Sequence, residues 1–206
     1  FQTSPPPDGP TAPDTSYVCV IDGQGNMFSA TPSDSSHDGT VVPDTGLCPS
    51  TRGCQSRGIS GSINSVAPGK RPRLTPNPAL VLRDGEPFMT LGTPGGDVQI
   101  QAMTQVFLNA VCFGMDIQTA IEAPRFATFS FPGSFAPNAY YPGLLMLEQR
   151  LPEETAHKLK SLGHNIKWWP DWSWKAGGVC AIQAKTESGI LYAGADPRRA
   201  GIALGY

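Results

Sequence analysis

Long apolar runs are missing from this sequence: none approaches the roughly 18 residues that a membrane-spanning helix requires. A basic excess is missing as well. Lys and Arg number 15 against 17 Asp and Glu, only 16% of the residues are charged, and the net charge is -2. A nucleic-acid binder needs a basic face, so neither a nucleic-acid nor a membrane partner is expected. Histidine is scarce, and His37, His157 and His164 have no metal-ligand spacing. Cysteine is odd in number, with Cys19, Cys48, Cys54, Cys112 and Cys180. Five thiols do not complete a disulfide framework, and the Cys48/Cys54 interval fits no standard metal site. Free or buried thiols are therefore expected, with a Cys48–Cys54 disulfide as the alternative, and no metal is called for. Cys19, in a strand-like run, is expected in the core. No internal repeat is visible.

Glycine and proline are abundant, 23 and 21 residues, so the chain turns often, and 39% hydrophobic residues are enough for one core. Residues 1–14 hold five prolines and no apolar periodicity. They read as a flexible leader ahead of a domain at 15–206. They lack the basic and apolar regions of a signal peptide. Tyr17–Asp22 is β-rich, Gly23–Asn26 has turn chemistry, and Met27–Thr31 returns as a strand, which places Thr15 just before a hairpin. Pro32–Ile63 is dense in Ser, Gly, Asp and Thr, a long irregular stretch of the kind that carries function. Ala79–Arg83 and Glu86–Thr90 flank Asp84-Gly85, a hairpin signal. Asp97 is expected to N-cap a helix running to about Cys112. A second helix is predicted from Asp116 to Pro124 and a third over Pro152–Leu162, ended by Gly163. Val179–Ala184 and Gly189–Ala193 read as a closing strand pair. Helices follow strand pairs rather than single strands, which predicts an α+β fold of antiparallel sheet covered by helices.

Seven blocks in order carry a resemblance. They are Asp14-Thr15-Ser16-Tyr17 leading to Val20-Ile21-Asp22, Gly25-Asn26, Ser29-Ala30-Thr31, Ala67-Pro68-Gly69-Lys70-Arg71-Pro72, Gly92-Thr93-Pro94-Gly95-Gly96-Asp97, Ala123-Pro124-Arg125, and the closing Asp196-Pro197-Arg198-Arg199. Together they resemble the small, catalytic subunit of the γ-glutamyltransferase (γ-glutamyltranspeptidase) family. The resemblance implies a four-layer αββα N-terminal-nucleophile hydrolase sandwich completed by a separate large subunit from the same precursor. It therefore implies a heterodimer, with apolar surface left uncovered on this chain alone.

The same resemblance marks Thr15 as the nucleophile. A threonine hydroxyl needs a base, and an N-terminal threonine supplies its own α-amine, whose ordinary pKa is about 8. Fourteen residues precede Thr15 here, so its nitrogen is an amide until the Asp14–Thr15 bond is cut. An uncleaved precursor, or a homologue cut elsewhere or catalytically altered, both fit that fact. Gly95 and Gly96 are the candidate oxyanion hole: two glycines let backbone N–H groups approach a carbonyl before a helix N-terminus. By position in the family, Ser33 and Ser35 contact the nucleophile, with Ser35 standing where the family has Asn.

Arg52, Gln55 and Thr75 fall where substrate is held. The family pattern there is Gln, then an acid three positions on; here Arg52 and Gln55 stand instead. Leu74-Thr75 replaces a Ser-Ser pair that binds the α-carboxylate. With no acid to pair a substrate ammonium, glutathione should bind poorly, while Arg52 can grip a carboxylate. His37, in the long loop, is a candidate substrate contact. Trp168, Trp169, Trp172 and Trp174 either wall an acyl site or pack in the core. Arg125, Asp196, Arg198 and Arg199 suggest a structural charge network.

The expected function is that of an amide-bond hydrolase or acyltransferase acting on a small-molecule amide, with no cofactor, its N-terminal threonine exposed by autoproteolysis. A true γ-glutamyltransferase is the alternative, and a non-catalytic, unprocessed homologue the second. The odd cysteine count leans cytoplasmic, and the export of many relatives keeps a periplasmic site open.

Overall fold

The computed structural model describes residues 15–33, 40–50, 52–135, 137–185 and 188–206. The leader at 1–14, Ser35 and His37 lie outside them. In chain order the elements are β1 (Val18–Ile21), β2 (Met27–Ala30), β3 (Ala79–Arg83), β4 (Glu86–Gly92), α1 (Gln99–Val111), α2 (Ile117–Glu122), β5 (Phe126–Thr128), β6 (Leu144–Glu148), α3 (Glu153–Ser161), β7 (Asn165–Trp169), β8 (Cys180–Lys185) and β9 (Ile190–Ala195).

The hairpins follow from local chemistry. Asp22 closes β1–β2 with an Asx turn: its Oδ1 accepts from the Gln24 and Asn26 N–H groups, both at 2.9 Å. Asp84 and Gly85 join β3 to β4 with φ of 55° and 88°, the two positive values of a type I′ turn. β4 pairs with β8 and β8 with β9, giving an antiparallel sheet in the order β3-β4-β8-β9. The β1–β2 ribbon lies across this sheet, with Tyr17 over Thr90 and Gly92. The alternate residues Met89 and Leu91 join Val106 of α1 and Ile121 of α2 in the main core. Ribbon, sheet and helices are three successive layers.

Three strands carry no expectation from the sequence. β6 pairs antiparallel with β5 and parallel with β7, and α3 makes the crossover. All five β6 residues are buried. Leu144 and Met146 enter the main core, while Leu145 and Leu147 pack with Ala156 on α3. A strand buried on both faces has no period-two alternation, so its apolar run cannot be told from a buried helical segment by pattern. The expected antiparallel pairs all form, and β6–β7 adds one parallel pair to them.

None of the five cysteines is in a disulfide, so the Cys48–Cys54 alternative does not form. Cys54 and Cys112 are exposed. Cys19 is only half-buried, with burial pushing its thiol up to about 11. Of the tryptophans, Trp169 is buried, edge-on to Phe129 at 6.2 Å. Trp172 stacks beneath Arg150 at 3.6 Å and Trp174 lies near Arg199.

A buried ionic network ties the layers together. Arg198 pairs with Glu148 at 2.6 Å and with Asp196 at 3.1 Å, and Arg125 pairs with Asp196 at 2.7 Å. Arg150 reaches Glu148 from the rim at 3.0 Å. Further donors go to backbone, Arg125 to Ile121 O and Ala176 O, Arg198 to Ile121 O and Ala123 O, while the buried Arg125 Nε makes no hydrogen bond. The sequence reading missed Glu148 and Arg150. Arg199, which it also placed there, lies along Gly178, donates to the Trp174 carbonyl and feels the Asp196 charge from the edge of the network. Burial pulls the Arg125 guanidinium down to about 10, against the Asp196 charge, so it stays cationic at neutral pH. Burial alone would raise the Glu148 carboxyl, but hydrogen bonds and charge from Arg198 hold it below its ordinary value.

Removing one partner strands a buried charge. Glu148→Gln is expected to lower unfolding stability by about 3–5 kcal/mol at neutral pH, read by chemical denaturation. Because the folded carboxyl titrates low, its contribution is present above the ordinary glutamate value of about 4.3. It is lost as pH falls through the folded value, so the gap between wild type and variant should narrow in acid.

Candidate active site

Thr15 stands three residues before β1, in an antiparallel bridge with Ser33 that continues the hairpin register without a slip. The Ser16 N–H donates to the Pro32 carbonyl at 3.0 Å. Pairing in this register sets the two hydroxyls opposite one another, with Thr15 Oγ1 and Ser33 Oγ 2.6 Å apart. Arg52 opens a 3-10 turn over Arg52–Gln55, and its Nη2 donates to the same Ser33 oxygen. A guanidinium thus lies one hydroxyl away from Thr15.

Tyr17 docks this strand end on the large sheet. Its hydroxyl bonds Ser29 Oγ at 2.6 Å and Thr90 Oγ1 at 3.4 Å, and burial pushes it well above the ordinary tyrosine range. The ring lies against the backbone of Gly92, where a Cβ would come within 2.1 Å of it. Gly92 begins the turn that carries Gly95 and Gly96, so the Thr15 strand and that turn are held in fixed relation.

Gly95 and Gly96 have φ of 135° and 57°, both in the left-handed half of the map that favours glycine. The turn rests on a buried support. Thr93 Oγ1 accepts from the Gly178 N–H and donates to the Pro94 carbonyl, each at 2.7 Å. Gly177, itself at φ 90°, packs beneath Gly95, and a Cβ there would lie 3.0 Å from Thr93 Oγ1. Arg125 and Asp196 hold the neighbours Ala176 and Val179, so the ionic network buttresses the turn from below.

Asp97 does not cap the helix. A 3-10 turn over Gly96–Val98 precedes α1, which starts at Gln99. The Asp97 carboxylate instead accepts from the Ser134 N–H at 2.8 Å and from the Ser134 hydroxyl. Two donors from a distant loop outcompete a local cap. That bond sets Phe135 against Gly96, where a Cβ would meet the ring at 3.7 Å, with the Arg52 guanidinium 5.8 Å from the ring centroid. On the other side, the fully buried Gln55 donates to Thr75 Oγ1 at 3.2 Å. Gln99, with its amide oriented so that its oxygen meets a donor, donates to the Thr75 carbonyl at 2.5 Å and accepts from the Gly96 N–H at 3.3 Å.

The chain matches the model of the family described as Gamma-glutamyltranspeptidase over residues 2–206. It belongs to the γ-glutamyltranspeptidase family. It is 35% identical over 198 residues to the glutathione hydrolase-like YwrD proenzyme of Bacillus subtilis (strain 168), covering 95% of this chain and 36% of that protein. It is 32% identical over 196 residues to the oxamate amidohydrolase proenzyme of Klebsiella pneumoniae, covering 94% and 36%. The solved structure of LmbA2991T421A superposes with a TM-score of 0.83 at 41% identity, over 90% of this chain and 33% of that one. The chain therefore spans about a third of the length of these relatives.

The fold is the α+β sandwich of the N-terminal-nucleophile hydrolases that this γ-glutamyltranspeptidase family shares. Thr15, Ser33 and Arg52 form one linked group; Gln55 and Thr75 form a second; both lead to Gly96. Gly95 sits next to it, and Ser35 lies outside the described residues. Leu74, where the family resemblance placed a hydroxyl, is exposed and apolar. Phe135, Gln99 and the Asp97–Ser134 clasp were missed by sequence reasoning. Phe135 lies in a Pro- and Gly-rich connection, and nothing in its local pattern marks its tertiary neighbour.

The nesting of Tyr17 on Gly92 is testable. Gly92→Ala is expected to cost about 1–3 kcal/mol through overpacking. Tyr17→Ala should cost stability alone, yet make Gly92→Ala nearly silent. A double-mutant cycle by denaturation that returned no coupling would contradict the contact.

Proposed function

We propose that this chain is the nucleophile-bearing part of an amide-bond hydrolase, with Thr15 as the attacking residue. The observation that carries the reading is the linked Thr15–Ser33–Arg52 group, with Oγ to Oγ at 2.6 Å, beside a glycine turn on a rigid support. Cleavage of the Asp14–Thr15 bond frees an α-amine with an ordinary pKa of about 8. That amine takes the Thr15 hydroxyl proton, directly or through a water, as Oγ1 attacks the substrate carbonyl. Arg52 donates to Ser33 Oγ, which leaves the Ser33 hydrogen to stabilise charge building on Thr15 Oγ1. The Gly95 N–H meets the oxyanion, and the Gly96 N–H, which donates to Gln99 at 3.3 Å in the resting site, turns to it as charge develops. The α-ammonium returns the proton to the leaving amine, and water, or an amine acceptor, resolves the acyl-enzyme ester.

The acyl side favours an anion without an α-ammonium. Arg52 supplies positive charge, and Gln55 is neutral where the resemblance leads one to expect an acid. An ammonium placed there would lose its partner, at a cost of several kcal/mol. This reading sets the chain nearer to amidohydrolases and acylases than to glutathione hydrolases, both of which occur among its relatives. The exposed apolar residues Val18, Val20 and Phe28 on the ribbon, with Leu80 and Leu82 on β3, support an intimate heterodimer with a large subunit from the same precursor.

Intact-mass measurement on the full precursor tests the core of the proposal. Wild type should break before Thr15, while Thr15→Ala should stay in one piece and be inactive. Ser33→Ala should slow turnover by about tenfold to a hundredfold, the loss of one charge-assisted hydrogen bond. The substrate class is tested separately. Wild type should prefer carboxyl-bearing acyl p-nitroanilides to γ-glutamyl-p-nitroanilide, and Gln55→Asp should shift the preference towards the γ-glutamyl compound. Turnover of γ-glutamyl-p-nitroanilide alone, at transferase-like rates, would overturn the specificity while leaving Thr15 in place.

A further inference from the structure

We infer that Phe135 is a specificity-determining residue, the wall of the acyl pocket, and that the Asp97–Ser134 clasp exists to place it. The inference rests on the amide-hydrolase reading and deepens it by naming what limits the acyl group.

Phe135 bridges the two sides of the site. One edge of its ring packs on Gly96, at 3.7 Å from where a Cβ would stand. The Arg52 guanidinium lies over its face at 5.8 Å, and Arg52 also holds Ser33 beside Thr15. The ring therefore spans from the oxyanion turn to the cation behind the nucleophile, and an acyl chain reaching from one to the other must pass along it. An aromatic face beside a cation holds the guanidinium by its quadrupole. It also offers a flat surface to an acyl chain.

The ring is held firmly although it lies in a connection between strands. Ser134 is fully buried and gives both its N–H and its hydroxyl to Asp97. Asn138 donates its N–H to the Phe135 carbonyl at 2.7 Å and its Nδ2 to the Gly133 carbonyl at 2.9 Å. Asp97 follows Gly96 directly, so any shift of the oxyanion turn carries the ring with it. The consequence is a pocket of fixed length: acyl groups whose carboxylate reaches Arg52 along the ring are accepted, and longer or uncharged chains are rejected.

The experiment uses the full precursor as wild type, Phe135→Ala, Phe135→Tyr and Asp97→Asn, each checked for self-cleavage by intact mass. kcat and KM are measured for succinyl, glutaryl and adipyl p-nitroanilides and for their uncharged butyryl and hexanoyl counterparts. Phe135→Ala should keep its cleavage and flatten the ranking of these acyl groups by roughly tenfold in kcat/KM, mainly through KM. Phe135→Tyr should restore the wild-type ranking. Asp97→Asn, which keeps shape but loses charge, should flatten the ranking in the same direction and less. If Phe135→Ala lowers every substrate equally or leaves the ranking unchanged, the inference fails while the amide-hydrolase reading stands. If wild type neither cuts itself nor turns over any of the amides, that reading fails and takes the inference with it.

Discussion

Two cations and two anions buried together set the frame of this molecule. Arg125, Glu148, Asp196 and Arg198 come from the end of α2, the end of β6 and the segment after β9, and their donors also satisfy backbone carbonyls at 121, 123 and 176. Each charge would be costly to bury alone, so none can settle until the elements carrying the others have arrived. The network therefore couples the three-stranded sheet, α2 and the four-stranded sheet. Its position matters as much as its strength: it grips residues 176 and 179, and Gly177 between them is the floor beneath Gly95. A turn with two consecutive glycines at positive φ is intrinsically loose. It becomes a fixed device because what lies under it cannot move.

On that floor the site is assembled from two chains of contact converging on Gly96. One runs from Thr15 through Ser33 and Arg52 to Phe135; the other runs from Gln55 through Thr75 to Gln99. The first joins a hydroxyl pair to a cation and an aromatic ring. The second is neutral throughout. Membership of the γ-glutamyltranspeptidase family accounts for the hydroxyl and the glycine turn. The arginine, the neutral amide and the exposed Leu74 are where this chain departs from the pattern the resemblance implies, and in the proposed reading all three bear on the acyl group.

Much of this was legible from local chemistry. Asp22 with Gly25, and Asp84 with Gly85, are turn signals whose geometry depends on residues next to them, and both hairpins form where expected. The hydroxyl opposite Thr15 was named by position in the family, and the register of the first hairpin is what sets Ser33 there. The β5–β6–β7 sheet was illegible for a physical reason: β6 is buried on both faces and has no alternation to read. Asp97 was misread because a cap is a local preference, and a buried serine far along the chain offered two donors in place of one.

The sequence by itself determined the turns, the helix ends at Asp116 and Gly163, and the family, since each depends on residue types at short or fixed spacing. Only the tertiary structure decided which distant groups meet. Glu148 joined the arginines, Arg199 was left at the edge, Ser134 captured Asp97, and Phe135 came to rest between Arg52 and Gly96. Those pairings are made by packing between distant elements, and such packing leaves no periodic trace in the order of the residues.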